Sequence, residues 1–514
     1  MRNNLLCLFL LFICINRSEL FAQNNHYVSK NGNNSNGNSW LNAWNDLDEI
    51  DWNSVQPGDV IYIDGGVDSM VYSSRITVGR GGTGHQNRIT IQRSEEIEHN
   101  GIIYFNGIYC DYPFITIDGK DLSKFIILGN DWGYIVRTTS NADWFEYKNA
   151  LLKCTFVADS GAWGVPMLNH SPHVLVKGCG FDGTNIEDQI RYDGEGSCII
   201  EDSYFIGIAT HGDIHEDICQ TYTNSMDSLI VRRSIFVSNY NDYFMLGDCQ
   251  FDYVEFSYNI FTASPDVGGD AIKGNSTNTL KVCNNVFDKC RDILGMDNND
   301  LLVRNNIYTG IGPWNGDVHV SDGAQYCLWD VGTTFFETGQ GNIQLLPGQP
   351  LFVDKNNPMG ADGIPFTNDD GFRLLEGSPA IDNGIDVGFS FDIMGNPISS
   401  NPDIGAYEYT FVNAVTPTDP FPETFQLYQN YPNPFNPTTN IRFLIADFEF
   451  VSLKVYDVSG NEVAVLLDEY KPAGNYEVTF DSHSGKVRNL PSGVYFYQLK
   501  VGTITQTKSM ILIK

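Results

Sequence analysis

The phrase IIEDSYF at residues 199–205 recurs along the centre of the chain and decides the fold. Its copies read LLKCTF at 151–156, VLVKGCGF at 174–181 and IVRRSIF at 230–236, and three more end at Phe261, Phe287 and Tyr308. The terminal aromatic residues lie 21 to 31 residues apart. A repeat of this length with strands and no helical half predicts a parallel β-helix, in which each coil buries its inward face only by stacking on its neighbours.

The repeats also predict a register between coils. The residue two places before each aromatic is small and polar or is a cysteine: Cys154, Cys179, Ser203, Ser234, Asn259, Asn285 and Asn306. Side chains at one corner of successive coils lie about 4.8 Å apart, a spacing that suits a ladder of side chains. We therefore expect these residues to stack in one column.

The composition fits this fold and limits the partners. The chain of 514 residues contains 49 Gly, 32 Phe and 26 Tyr, and only 18% of its residues are charged, which favours strands and turns over helices. The net charge of −32 argues against a nucleic-acid partner, because phosphate contacts need a basic surface. A polyanionic substrate has to meet a local basic patch or a bridging cation such as Ca²⁺.

The N-terminus predicts export. Met1 and Arg2 precede an apolar run from Leu5 to Ile15, which is too short to span a bilayer and is followed by polar residues. Residues 1–22 are therefore predicted to be a signal peptide, and no transmembrane segment is predicted in the rest. Removal of the two signal-peptide cysteines leaves nine of the 11, an odd number, so most are expected to pack as small apolar residues.

Segments at both ends of the repeats resemble known modules. Residues 27–32 (YVSKNG) and 57–62 (PGDVIY) look like the opening of proteins in the pectin-lyase-like superfamily, which are right-handed parallel β-helices and often act on polysaccharides. The resemblance implies an all-β chain with a right-handed β-helix over residues 23–412. Residues 362–409, which end in DIGAYEY at 403–409, resemble a closing module found after β-helices in bacterial surface proteins. We expect this module to cap the open end of the helix.

The last part of the chain has a different pattern. A linker rich in Pro and Thr, at 413–427, leads to YPNPFNPTT at 431–439 and then to alternating strands and PSGVYFYQ at 491–498. Residues 428–514 resemble the C-terminal sorting domain of the type IX secretion system. The resemblance implies a small β-sandwich, a partner in that secretion machinery, and a location at the outer cell surface or outside the cell. A carbohydrate-binding β-sandwich is the alternative interpretation.

A second register follows the aromatic turns. Five strands begin with the pattern Asp-x-apolar-x, at Asp188, Asp217, Asp242, Asp270 and Asp292. If the third position of this pattern points inward, the fourth points outward and predicts an outer column of Arg191, Gln220, Met245, Lys273 and Gly295. Stacked carboxylates repel one another unless hydrogen-bond donors or a cation compensate. In one interpretation, each Asp caps its own turn by accepting hydrogen bonds from backbone N–H groups. In the other, Asp217 and Asp270 are metal ligands that hold Ca²⁺ beside an acidic sugar.

Lys273 is the predicted catalytic base. It belongs to the outer column, and Arg291 precedes the equivalent strand of the next coil. The run DAIKGNS at 270–276, together with Arg291, resembles the Lys-then-Arg arrangement of alginate and chondroitin B lyases. The resemblance implies β-elimination, in which Lys273 removes the C5 proton of a uronate and Arg291 stabilises the resulting anion. A solvated surface lysine is the alternative interpretation.

The longest interval between the aromatics, 205–236, contains a second polar cluster. It includes HGDIHEDICQ at 211–220, and long loops on a rigid scaffold often carry function. The string DIHE at 213–216 resembles part of the mannuronan C5-epimerase motif, which implies acid–base roles for His211 and His215. Substrate-binding roles are predicted for four further residues: Gln220, Arg191, Arg233 and Asp213. A polar loop whose histidines only bond backbone groups is the alternative.

Three functions therefore stay open. The first is a secreted lyase that cleaves a uronate-containing glycan, such as alginate or pectate, and the second is a C5-epimerase that uses the same proton abstraction. The third is a non-catalytic surface adhesin or glycan-binding protein. A polygalacturonase-type hydrolase is not favoured, because the Gly-His-Gly and Arg-x-Lys strings are absent from the sequence.

Overall fold

The structure is a computed structural model of the chain. It describes residues 23–129, 134–155, 165–184, 188–208, 217–238, 242–247, 249–263, 269–290, 295–310, 324–330, 340–409, 426–445, 449–471, 474–482, 490–501 and 504–513. The predicted signal peptide and most of the predicted linker lie outside these residues.

Three long parallel sheets, called A, B and C here, form the main domain. The strands of sheet A are Ile76–Thr77, Ile108–Cys110, Val136–Thr138, Met167–Asn169, Asp188–Tyr192, Asp217–Thr221 and Phe244–Met245. The strands of sheet B are Asn25–Val28, Val60–Ile63, Ile89–Arg93, Ile115–Asp118, Phe145–Lys148, His173–Lys177, Ser197–Glu201, Ser225–Arg232 and Gln250–Ser257. The strands of sheet C are Ser69–Val71, Ile102–Phe105, Phe125–Gly129, Leu151–Thr155, Gly180–Thr184, Tyr204–Ile208, Ile235–Ser238, Ile260–Thr262, Val286–Asp288, Ile307–Thr309, Leu328–Trp329 and Ile343–Gln344.

Each coil runs from sheet A to sheet B to sheet C, and every strand pairs in parallel with the strand of the next coil. Two long strands, Ile272–Cys283 and Gly295–Arg304, run through both sheet A and sheet B. Three short 3₁₀ turns, Leu47–Glu49, His85–Asn87 and Leu122–Lys124, interrupt the early coils. This arrangement is a parallel β-helix and confirms the predicted fold class.

The interior contains a stack of aromatic rings on the inner face of sheet C. Its members are the predicted repeat aromatics Phe181, Phe205, Phe236, Phe261, Phe287 and Tyr308. Successive ring centroids are 4.5 to 5.3 Å apart and the planes are nearly parallel. Such stacking stabilises the coils beyond simple burial of area. Free, buried cysteines fill gaps in the same interior, as expected: Cys110, Cys179, Cys198, Cys219, Cys249, Cys283, Cys290 and Cys327.

The B–C corner, where each coil passes from sheet B to sheet C, is built alike in successive coils. One residue there has a left-handed backbone, with φ between 46° and 64°: Asn149, Gly178, Asp202, Arg233, Tyr258, Asn284 and Asn305. The side chain of the residue after it turns to the neighbouring coil. Ser203 Oγ accepts a hydrogen bond from the backbone N–H of Cys179 at 3.1 Å, and Asn259 Oδ1 accepts one from Ser234 at 3.0 Å.

These residues form the predicted column, which we call the neutral ladder: Cys179, Ser203, Ser234, Asn259, Asn285 and Asn306. All of them are fully buried. The expectation for Cys154 is wrong, because Leu152 rather than Phe156 pairs with Phe181, so that Ala150 occupies the ladder position and Cys154 pairs with Gly183 within sheet C.

The closing module packs along the side of the β-helix, and its expected role as a cap on the open end stays a prediction. Phe372, Ile404 and Tyr407 share one buried cluster with outward residues of sheet C such as Ile260 and Val286. Since this cluster follows sheet C through consecutive coils, the module covers a lateral face.

A backbone contact fixes the module to the B–C corner. Gly405 N donates to Asn305 O at 2.7 Å. Gly405 has φ of 102°, and a Cβ there would come within 2.6 Å of the Ile307 side chain, so this close approach requires glycine. Phe389 extends the cover to sheet B, where Lys281 Nζ lies 4.0 Å from its ring centroid.

The C-terminal region forms two antiparallel sheets. One contains Gln426–Leu427, Thr438–Ile445 and Gly474–Asp481, and the other contains Glu462–Lys471, Glu449–Tyr456, Gly493–Val501 and Ile504–Leu512. Both sheets contribute to one buried cluster, which includes Phe443, Leu453 and Tyr497 and is separate from the clusters of the β-helix. The predicted β-sandwich is therefore present, and it has its own core.

Candidate functional site

The outer column of sheet A is aligned as the sequence predicts. Arg191, Gln220, Met245, Lys273 and Gly295 pair in register on successive strands. Their inward neighbours are buried among the core residues, as alternation along a strand requires. Among the described residues the closing module lies against sheets B and C, and the column is half-buried at Arg191, Gln220 and Met245 and exposed at Lys273.

Four aspartates stand beside the column at the C–A corner, where each coil passes from sheet C to sheet A. Asp188, Asp217, Asp242 and Asp270 follow one another at coil spacing, and we call them the carboxylate ladder. Asp217 Oδ1 accepts a hydrogen bond from Asp242 N at 3.1 Å, and Asp242 Oδ1 accepts one from Asp270 N at 3.2 Å. Each of these two carboxylates thus caps the turn of the next coil. Asp292, the fifth member of the predicted series, lies outside the described residues.

The middle of the carboxylate ladder is electrostatically strained. Asp217 is 1% exposed. Burial raises the pKa of its carboxyl group to about 8, and the neighbouring charges of Asp188 and Asp242 add to this effect, against the Asp242 N–H and Lys273. The charged form of Asp217 is therefore disfavoured in the folded protein, as expected for a buried carboxyl group between two like charges.

Lys273 stands at the end of the ladder. Its side chain is 51% exposed, and Nζ lies 3.6 Å from Asp242 Oδ2 and 3.7 Å from Asp270 Oδ2. These contacts hold the amine over the C–A corner with its outer side open to solvent. The amine of the predicted base is thus half-exposed on the outer face of sheet A, and its catalytic role stays a prediction.

Arg191 and Gln220 balance the other end of the ladder. Arg191 Nη2 donates to Asp188 Oδ2 at 2.6 Å. The Gln220 amide, in the orientation that satisfies both of its ends, donates to the same carboxylate at 3.1 Å. The Arg191 guanidinium also lies 4.5 Å from the ring centroid of Tyr222, a residue that is 54% exposed.

Sequence reasoning missed Tyr222, which has no place in the repeated pattern because it follows the strand. Tyr222 could have been identified from its position, because it lies two residues after Gln220 of the outer column. An exposed aromatic ring beside polar side chains is suited to stacking against a sugar ring.

Arg233 lies elsewhere. It occupies the left-handed position of the B–C corner, and its guanidinium pairs with Asp202, with Nε 2.6 Å from Oδ1. Arg233 is only 9% exposed. The structure therefore does not bring this predicted substrate-binding residue to the outer column of sheet A.

Four predicted residues, Arg291, His211, Asp213 and His215, lie outside the described residues. They belong to segments 209–216 and 291–294, each of which connects a strand of sheet C to a strand of sheet A. Their roles remain predictions.

The described carboxylates do not form the predicted calcium site by themselves. Asp217 and Asp270 are two coils apart with Asp242 between them, a separation of about 9.6 Å along the helix, whereas oxygen ligands lie 2.3–2.6 Å from Ca²⁺. Asp242 and Asp270 already face the Lys273 ammonium. In the part of the chain that the structure describes, no group of three or more His, Cys, Asp or Glu side chains is arranged to hold a metal ion. A calcium site here requires further ligands, and it stays a prediction.

Three comparisons place the chain among known proteins. Residues 429–514 match the family model of the secretion system C-terminal sorting domain. No curated protein matches the chain. A solved structure titled "The complex structure of XylC with xylose" has 10% sequence identity and a TM-score of 0.39, and the match covers 75% of this chain and 98% of that one.

The match at the C-terminus agrees with the β-sandwich seen there. None of the helices in the described residues is long and apolar enough to cross a membrane. The chain thus carries a type IX secretion sorting domain, which directs it through that machinery to the cell surface or the extracellular space.

Proposed function

We propose that this protein is a secreted polysaccharide lyase that cleaves a uronate-containing glycan on the outer face of sheet A. The observation that carries the proposal is the position of Lys273, a half-exposed amine in a straight column of outward side chains on a rigid sheet. A glycan lying along this column meets Gln220 and Tyr222 before it reaches the amine. Export to the cell exterior brings the protein to where such polymers occur.

The reaction is a β-elimination. Lys273 Nζ takes the proton from C5 of the uronate, the electron pair forms the C4–C5 double bond, and the bond from C4 to the leaving glycosidic oxygen breaks. The ammonium formed on Lys273 is stabilised by Asp242 and Asp270, which lie within 4 Å of it. A proton from solvent or from an acidic group completes the leaving hydroxyl.

The anion formed at the uronate carboxylate needs positive charge or hydrogen-bond donors. Arg291, predicted for this role, connects to sheet A in the coil after that of Lys273. Arg191 is less suited, because its guanidinium is already bound to Asp188. The proposal therefore keeps Arg291 as the stabilising group.

A screen of the mature protein tests the proposal. Alginate, pectate and glycosaminoglycans are incubated with the protein, and ultraviolet absorbance of the unsaturated product is followed over time. A lyase raises the absorbance with at least one of these polymers. Inverted C5 configuration without absorbance identifies the epimerase, and binding without any chemical change identifies the adhesin.

A further inference from the structure

The two sheets of the C-terminal sorting domain differ in the polarity of their outer faces. On the sheet that contains Thr438–Ile445, the outer face carries hydrogen-bonded polar side chains. Asn440 Nδ2 donates to Glu477 Oε1, and Thr479 Oγ1 donates to Asn440 Oδ1, both at 2.9 Å. Arg442 Nε lies 3.2 Å from Glu477 Oε2. These side chains satisfy one another, which suits a face that stays in contact with water.

The outer face of the four-stranded sheet carries apolar side chains instead. Along Gly493–Val501, Val494 and Phe496 alternate with two buried tyrosines. Val494 and Phe496 therefore point outward, and they are 41% and 36% exposed. The core of the sandwich lies on the other side of this sheet, so these two side chains face solvent without contributing to it.

The neighbouring strand, Ile504–Leu512, extends this surface. Ile511 lies directly opposite Val494 and is 42% exposed. Ile513, two residues further along the chain, is 51% exposed. Because directly opposite residues of an antiparallel pair have Cβ atoms about 5 Å apart, Val494 and Ile511 form one continuous apolar surface.

The strand on the other side of Gly493–Val501 adds an aromatic ring. Tyr456, the last residue of Glu449–Tyr456, lies directly opposite Phe496. The turn that follows this strand carries Val458, which is 71% exposed. Three strands and their flanking residues thus form one exposed surface, which we call the apolar patch: Tyr456, Val458, Val494, Phe496, Ile511 and Ile513.

Polar pairs border the apolar patch on the same face. Gln498 Nε2 donates to Thr507 Oγ1 at 3.1 Å, and Lys454 Nζ lies 3.1 Å from Glu462 Oε2. An apolar centre with a polar, solvent-exposed rim is the usual anatomy of a protein–protein interface. A contiguous apolar surface in contact with water likewise marks an interaction site.

The sheet edge beside the apolar patch is already occupied. Phe435 N donates to Ile511 O at 2.9 Å, and Asn433 Oδ1 accepts a hydrogen bond from Ile511 N at 2.9 Å. A partner therefore cannot add a strand to the backbone of Ile511, and it meets the side chains of the outer face instead.

The charge of the sorting domain also suits contact with another protein. Residues 428–514 contain eight basic and eight acidic side chains, so their net charge is zero, whereas the whole chain carries −32. Like charges oppose the association of two proteins. The sorting domain is therefore the part of the chain that can approach another protein with little electrostatic cost.

The family match identifies the kind of partner. Residues 429–514 match a sorting domain of a secretion system, so a component of that machinery has to contact this domain. Contact through the polar sheet has to replace hydrogen bonds that are already made, whereas contact through the apolar patch removes apolar surface from water.

We propose that the apolar patch is the surface through which the sorting domain binds the type IX secretion machinery, and that the partner is a protein of that machinery with an apolar face. Phe496 and Ile511 are the central residues of this contact. The proposal does not rest on the lyase activity, because the sorting domain and sheet A belong to separate cores.

Export from living cells tests the proposal with the full chain. The chain and its variants are expressed in a bacterium with a working type IX system. Quantitative immunoblotting compares the protein at the surface and in the medium with the protein in the periplasm. Phe496→Thr and Ile511→Thr are the patch variants, because Thr removes apolar surface and is well tolerated in strands. Val465→Thr is the matched control, since Val465 is 47% exposed on the opposite edge strand of the same sheet.

The double variant Phe496→Thr, Ile511→Thr is expected to lower the exported fraction by about tenfold, because apolar burial against the partner is lost. Val465→Thr should export normally. Urea denaturation of the purified chains should give the same midpoint for all of them, because the altered side chains point away from the core. Normal export of the double variant contradicts the proposal.

Photo-cross-linking gives a second measurement that does not depend on loss of function. A photoreactive phenylalanine analogue in place of Phe496 should cross-link to a protein that mass spectrometry identifies as a type IX component. The same analogue in place of Thr479, on the polar face, should cross-link much less. A cross-linked species of twice the mass of the chain identifies a second copy as the occupant and contradicts the proposal, as does equal cross-linking from the two positions.

Discussion

Two corners of the same β-helix carry stacked polar side chains, and these side chains are compensated in different ways. At the B–C corner, the neutral ladder of Cys, Ser and Asn is fully buried, and each Ser or Asn accepts a backbone N–H from the adjacent coil. At the C–A corner, the carboxylate ladder places like charges at the same spacing. The first arrangement satisfies every step without charge, whereas the second pairs its carboxylates with Arg191 and Lys273 and disfavours the charged form of Asp217.

The comparison of the two ladders separates a feature that stabilises the fold from one that is suited to function. A neutral ladder lowers the free energy of the folded chain and offers nothing to a ligand, because its atoms are buried. The carboxylate ladder costs electrostatic energy and keeps Lys273 at the surface. Strained ionisable groups of this kind are common at functional sites.

The largest effect is expected from removing an Asn of the neutral ladder. Asn285 Oδ1 accepts from Asn259 N at 2.9 Å, and Asn285 Nδ2 donates to Phe256 O at 2.9 Å. Asn285→Ala leaves both groups buried without these partners and should lower the free energy of unfolding by about 3 kcal/mol. Urea denaturation measures this change.

The control for that variant is Asn278→Ala, which removes an exposed Asn from Ile272–Cys283, the strand that precedes this corner. It should change stability by less than about 0.5 kcal/mol. Equal, small effects in the two variants would contradict the structural role of the neutral ladder.

A smaller effect, with pH dependence, is expected from the carboxylate ladder. The pKa of Asp217 is raised to about 8, so the native state keeps a proton that the unfolded chain loses near pH 4. The stability due to this group is complete below about pH 4 and is lost as the pH rises towards 8.

Asp217→Asn cannot titrate and keeps an oxygen for the Asp242 N–H. Its stability advantage over the wild type should therefore grow by about 2 kcal/mol from pH 5 to pH 6.5, as measured by urea denaturation. Burial also raises the pKa of Asp370, Asp392 and Asp403 to about 6 and that of Glu408 to about 7. These groups titrate in both proteins, so the difference between the two isolates Asp217. A difference that does not depend on pH would contradict the charged character of this corner.

The smallest effect is expected at a Ser of the neutral ladder. Ser234 Oγ accepts from Ser203 N at 3.2 Å and donates to Arg232 O at 2.8 Å, which is fewer contacts than an Asn makes. Ser234→Ala should lower the free energy of unfolding by about 1 kcal/mol in the same urea assay. If Ser234→Ala lowered the free energy of unfolding as much as Asn285→Ala does, the number of hydrogen bonds would not determine how much each ladder residue stabilises the fold.

Much of the fold could be predicted because the repeat has a physical cause. Inward aromatic rings stack from one coil to the next, so the positions of the aromatic residues from Phe181 to Tyr308 show which residues of successive coils are paired. The prediction failed at Cys154, where an inward Leu152 replaces the aromatic and the phrase LLKCTF gives a false match four residues along. The lateral position of the closing module could not be predicted, since the sequence does not show which outward apolar residues need cover.

The candidate site was predicted less completely. The outer column follows from strand alternation, and Lys273 lies where it was expected. Arg233 belongs to the repeated phrase IVRRSIF, but it lies at the B–C corner, where its backbone is left-handed. The repeat alone does not show that this position faces away from the outer column of sheet A. Tyr222 was missed because it follows the strand and therefore has no place in the repeated pattern.

Turnover of the Lys273→Ala variant tests the central claim most directly. On the glycan that the screen identifies, release of unsaturated product should fall by about 100-fold or more, because the base is lost. Because the buried Asp242 loses this contact, the free energy of unfolding should fall by up to about 2 kcal/mol, too little to unfold the protein, and Lys153→Ala, which removes an exposed lysine from sheet C, should leave both quantities unchanged. Full activity in Lys273→Ala would contradict the assignment of the outer face of sheet A as the site of chemistry.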